Sequence, residues 1–141
     1  MRTKVVIINS SQIVRGLLKE YIVSESPFLD VIEVGFNDHV LEILNREAED
    51  VILIILGGLY TSKITSKDVI EYVKNHDFLY FVPMIIILDY ATCQNRLFYG
   101  QDLLDSFKTD SCNFGIVRHC FTHDDFRQAL KLAIQRRTLK K

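Results

Sequence analysis

No stretch of this 141-residue chain is apolar for long enough to cross a bilayer. Its longest apolar runs are about ten residues, against the roughly 20 that a spanning helix needs. No secretory signal is expected either, because Arg2 and Lys4 precede only VVII before polar Asn9-Ser10-Ser11. Cysteine is scarce. Cys93, Cys112 and Cys120 are odd in number and lack paired spacing, which argues against a disulfide framework and for reduced thiols in a cytoplasm. Neither GxGxxG nor GxxxxGK[ST] occurs, so Gly57-Gly58 reads as a tight turn after a strand, not as a phosphate cradle. Repeats, low-complexity tracts and DNA-reading motifs are also missing, and the length suits one domain over 1–141.

Charge of one sign is missing from one segment. From Arg127 to Lys141 there are six basic residues and no acid, while the other 126 residues hold 11 basic against 18 acidic, a net of −7. The segment 127–141 is therefore a basic end on an acidic body.

What the chain does have is VILIILGG, Val51 to Gly58. Six consecutive apolar residues, four of them β-branched, run into two glycines without polar alternation. That pattern marks a strand buried on both faces, the centre of a parallel sheet covered by helices. KVVIIN (Lys4–Asn9), DVIEV (Asp30–Val34), MIIIL (Met84–Leu88) and a stretch from Phe114 to Val117 read as the other strands. Between them the spacing predicts helices. The first is capped by Ser10 or Ser11 and runs through Tyr21, with Ile13, Val14, Leu17, Leu18 and Tyr21 inward. Pro27 breaks the connection that follows it. The second is capped by Asn37 or Asp38 and runs through about Arg46, packed by Val40, Leu41 and Leu44. Thr65 to Asp68 resembles a capping box ahead of Val69, Ile70 and Val73. A fourth helix carries Leu103, Leu104 and Phe107 after a long connection, and the last is capped by Thr122 and Asp125, with Phe126, Ala129, Leu130 and Ala133 inward. Right-handed crossovers then give an α/β fold, a three-layer, doubly wound, five-stranded parallel sheet of flavodoxin-like type in the order 2-1-3-4-5.

In pattern and spacing the chain resembles the receiver domain of bacterial response regulators over nearly its whole length. VVIINSSQIVRGLLKEYI is similar to that family's first strand and helix, EDVILIIL to its third strand and PMIIIL to its fourth. FGIVRHCFTHDDFRQALKLAI is similar to its fifth strand and last helix, and the connection after the fourth strand is longer than usual. The resemblance implies a phosphoacceptor aspartate on the third strand, two Mg²⁺-holding acids on the first, a hydroxyl on the fourth and a lysine on the fifth. Those positions fall on Ile55, on Asn9 and Ser10, on Leu88 and on His119; the proline after the lysine falls on Cys120, and the aromatic switch on Ile116. No carboxylate occurs from Val51 to Gly58, and Asp50 lies about 16 Å upstream of Ile55 at strand rise, at the wrong end of the sheet. The resemblance is thus to a degenerate pseudo-receiver.

Asn9, Ser10, Ile55, Leu88 and His119 then line an emptied pocket, and the expectation is a chain with no catalytic activity, cofactor, metal or phosphorylation site. His119, Cys120 and His123 lack the close cysteine pair of a zinc site, and Asp89 with His119 lacks a nucleophile. Function is expected in a cytoplasmic signalling module that binds another protein, or itself as a homodimer. In the resembled family, output runs through the fourth helix, fifth strand and fifth helix. Here that face is carried by Arg118, Arg127, Lys131 and Gln135, with Ser106 and Phe107 beside it. Two alternatives are non-specific nucleic-acid contact through the basic segment and a small-molecule sensor using the pocket.

Overall fold

A computed structural model describes residues 2–35, 39–57, 66–88, 114–118, 122–128 and 130–131, with only the backbone described at 66, 67, 88 and 114–118. The elements are β1 (Lys4–Asn9), α1 (Gln12–Glu25), β2 (Asp30–Val34), α2 (Val40–Glu47), β3 (Val51–Gly57), α3 (Ser66–Lys74), β4 (Met84–Leu88) and β5 (Phe114–Arg118). A further helix covers residues 123–128, and 130–131 are helical again. Every strand pair is parallel and the sheet order is β2-β1-β3-β4-β5.

The apolar strands bury both faces. Val6, Ile8, Ile54, Leu56, Met84 and Ile86 pack on one side with α2 and α3. Val5, Ile7, Leu53, Ile55, Ile85 and Ile87 pack on the other with Leu18 and Ile22 of α1 and with Phe126. Burying each such side chain stabilises the fold by about 1.5–3 kcal/mol before chain entropy is counted, which is why an unbroken apolar run selects a central strand. The β1–β3 register slips between Lys4 and Val5, which pair with Val51 and Leu53. Ile52 is the extra residue, and it turns to the same face as Leu53.

Local chemistry sets the helix ends. Ser11 caps α1 by accepting from the Val14 amide at 3.3 Å. That helix runs four residues past Tyr21 and closes through the Ser26 amide on the Ile22 carbonyl. Its buried face also differs from the expected one. Leu18 and Ile22 are buried and Val14 and Tyr21 partly so, but Ile13 is 86% exposed and Leu17 is exposed too. Ile13 stands about 100° around the helix from Val14, off the stripe that reaches the sheet. For α2 the cap residue is His39, which makes no side-chain capping bond, in place of the expected Asn37 or Asp38; those two lie outside the described residues. At the last helix, Thr122 and Asp125 form the expected reciprocal box. The Thr122 amide donates to Asp125 Oδ2 (2.9 Å) and the Asp125 amide to Thr122 Oγ1 (3.1 Å). Expected features at Thr65, 89–113, Cys120, Ala129 and Ala133 lie outside the described residues.

Arg2 ties the amino ends of the strands together. Its Nη1 donates to the carbonyls of Ala48 (2.8 Å) and Val51 (2.7 Å), its Nη2 to that of Phe78 (3.0 Å), and its guanidinium lies 4.7 Å over the Phe81 ring. Beside it Lys4 pairs with Glu47 at 2.6 Å. That contact raises the lysine and lowers the carboxyl from their ordinary values, burial opposing both.

Candidate functional site

In an open parallel α/β sheet, ligands gather beyond the carboxyl ends of the strands. Here the last rung crossing β1, β3, β4 and β5 is Asn9–Gly57–Ile87–Val117. Ile55 is not on it. It pairs with Ile7 and Ile85 two residues further in, wholly buried against the α1 side of the sheet. β3 itself ends two residues further on, at Gly57, which pairs with Asn9.

Gly57 cannot be replaced by a larger residue without moving its neighbour. A Cβ built there would stand 2.8 Å from both the Cβ and the carbonyl oxygen of Ile87. The space a side chain would use is filled by β4, the close backbone approach that a glycine within a strand permits.

Asn9 is the one buried polar residue among those described. Its Oδ1 accepts from the Ser11 amide at 2.8 Å, so the side chain serves the start of α1. Its backbone carbonyl accepts from Arg15 Nη1 at 2.6 Å. The Arg15 guanidinium is thus held at the end of β1, with Nε buried, unbonded, and 3.6 Å from Glu33 Oε1. A fixed cation stands where a metal-binding site would need negative charge. Ser10 is exposed just beyond the strand. Leu88 ends β4 level with Arg118, and His119 lies outside the described residues. No group of three His, Cys, Asp or Glu side chains able to hold a metal occurs among the described residues.

Of the expected partner face, the side chains of Arg127 and Lys131 are described. Arg127 is half-exposed, but its charge is engaged within the chain: Nε and Nη2 donate to Glu25 Oε1 at 3.1 and 2.9 Å, and Nη1 to Asp124 Oδ1 at 3.1 Å. The Arg127 hydrogen bonds hold the Glu25 carboxyl below its ordinary range, and Glu25 in turn raises Arg127. His123 Nε2 lies 2.9 Å from the same carboxylate oxygen without hydrogen-bond alignment, and its ring stacks on Tyr21 at 4.5 Å and 4°. These contacts clamp the helix at 123–128 to the end of α1. Lys131 is exposed; Gln135, Ser106 and Phe107 lie outside the described residues, as does the side chain of Arg118.

No family model matches the chain, and no curated protein does. Solved structures match closely in fold. A response regulator receiver domain protein from Clostridium thermocellum superposes with a TM-score of 0.72 at 16% identity, over 99% of each chain. The signal receiver domain of a putative Luxo repressor protein from Vibrio parahaemolyticus gives 0.69 at 18% identity, over 99% of this chain and 95% of that one. The signal receiver domain of a modulated diguanylate cyclase from Desulfovibrio desulfuricans G20 gives 0.66 at 14%, over the full length of both. The chain has the flavodoxin-like, parallel α/β fold of a receiver domain.

Proposed function

We propose that this chain is a receiver-fold regulatory module of bacterial signal transduction that works without phosphotransfer and acts by binding another protein in the cytoplasm. The observation that carries the reading is the strand-end rung. Phosphoryl transfer to a receiver needs a carboxylate acceptor and a hard cation held by oxygen ligands. β3 ends at Gly57, and the room beside it is taken by Ile87. At the end of β1 the Asn9 amide oxygen accepts from the Ser11 amide, and the Arg15 cation lies against the Asn9 backbone carbonyl. Among the described residues such a site has neither an acceptor nor a reason to attract Mg²⁺, which supports surface recognition as the mode of action. The use of Arg127 inside the chain counts against the nucleic-acid reading, since one of the six basic groups is already paired.

Intact-mass measurement after incubation with acetyl phosphate and Mg²⁺ tests it. The expected result is no phosphoryl gain. A stoichiometric, base-labile adduct would overturn the reading.

A further inference from the structure

At the amino ends of the strands, opposite Asn9, the turns after α2 and α3 enclose a cleft of about 430 Å³. Its walls include Glu49, Asp50, Asn75, His76, Asp77 and Phe78, with Arg46 on its rim and the Arg2 guanidinium on the carbonyls of Ala48 and Phe78. Phe78 and Tyr80 are 45% and 60% exposed on the turn that forms one side. His76 fixes that side. Its Nδ1 accepts from the Phe78 amide at 3.1 Å, which assigns the ring proton to Nε2, and Nε2 donates to Asn45 Oδ1 at 2.9 Å. Asp50 lies 3.7 Å from Lys4, whereas Glu49 and Asp77 have no ion-pair partner among the described residues. The cleft adjoins a second depression, about 570 Å³, that carries Glu71 and Tyr72. The whole is net acidic and edged by exposed aromatic rings.

That chemistry fits a segment bearing cations and a few apolar side chains, because carboxylates steer cations and aromatic faces attract them once they arrive. The chain contains one such segment. Residues 132–141 carry Arg136, Arg137, Lys140 and Lys141 with Ile134 and Leu139, and no acid. We propose that residues 132–141 of one copy dock in the acidic, aromatic-edged cleft between the α2 and α3 turns of a second copy. Within one molecule, Phe126 and Leu130 hold the preceding helix on the α1 face, while the cleft belongs to the α2–α3 layer across the sheet. A second copy presents the cleft without the segment having to wrap around a sheet edge. Two copies that exchange segments reciprocally satisfy both clefts and close at a dimer. The proposal extends the protein-binding reading to one partner. Because the cleft is remote from Asn9 and Gly57, it stands or falls separately from phosphotransfer.

Sedimentation velocity on the full chain at tens of micromolar tests it, with two charge-reversed variants, Glu49→Lys/Asp77→Lys and Arg136→Glu/Arg137→Glu. Wild type is expected to be dimeric at low salt and to dissociate as salt rises, since screening shortens the reach of exposed charges. Each variant alone is expected to dimerise at least tenfold more weakly, and an equimolar mixture of the two to recover a heterodimer, because both contacts then pair opposite charges. Far-UV circular dichroism confirms folding, and the milder Glu49→Gln/Asp77→Asn gives an intermediate weakening if the reversal unfolds the turn. A monomeric wild type at low salt, or a dimer as tight in the variants as in wild type, overturns the proposal; so does a mixture that fails to pair.

Discussion

Glu25 and Arg127, 102 residues apart, meet in a two-pronged contact in which one carboxylate oxygen accepts from both Nε and Nη2 of the guanidinium. It joins the end of α1 to the helix at 123–128, the two elements that cover one face of the sheet.

The contact makes stability depend on acidity with a definite sign. Glu25 has its carboxyl lowered from an ordinary value of 4.5 by the Arg127 hydrogen bonds. A group whose folded value is depressed stabilises the fold fully above its unfolded value and loses that contribution as pH falls through the folded one. Urea midpoints of wild type and Glu25→Gln should therefore differ above about pH 4.5 and converge in more acidic buffer. A constant gap down to pH 2 would contradict this origin.

Reversing the arginine alone, Arg127→Glu, places two carboxylates together at the clamp and should lower the melting temperature. Glu25→Lys combined with Arg127→Glu should recover part of the loss. Thermal melts at low and high salt check both, and the recovery should shrink as salt rises.

Gly57→Ala should cost about 1–3 kcal/mol in urea unfolding, because its methyl group meets the Ile87 backbone and not a movable side-chain tip. Adding Ile87→Ala would not relieve the contact with the carbonyl oxygen.

On α1 the two leucine-class positions should separate sharply. Leu18→Ala removes a fully buried side chain and should cost about 2–5 kcal/mol. Ile13→Ala should stay within about 0.5 kcal/mol, as expected for an exposed site.

The sequence makes the buried strands easy to read because burial on both faces leaves an unbroken apolar run, as in Val51 to Leu56 and Met84 to Ile87. Thr122 and Asp125 are legible for a different reason: a capping box is completed within four residues. Ile13 misleads because apolarity alone cannot say where a helical stripe ends when neighbouring positions are apolar too. The bulge at Ile52 is invisible in the sequence because it shifts the β1–β3 register by one residue without leaving a mark in the composition. Arg127 looks like a surface cation since one of its two partners, Glu25, is distant in the chain, and Arg2 looks like an unremarkable terminal charge although three carbonyls converge on it. Local patterns carry local structure; contacts across a hundred residues leave no local trace.

The close approach of Ile87 to Gly57 also orders the routes by which this sequence could change. A single codon change from glycine to aspartate at position 57 would set a carboxylate stem against β4 before any acidic neighbour existed to hold a cation beside it. The backbone of β4 would have to shift away first, and Asn9 and Arg15 would have to exchange their charge character, before an acidic side chain at 57 brought any chemical return. An acidic side chain at 57, taken alone, would loosen the sheet end.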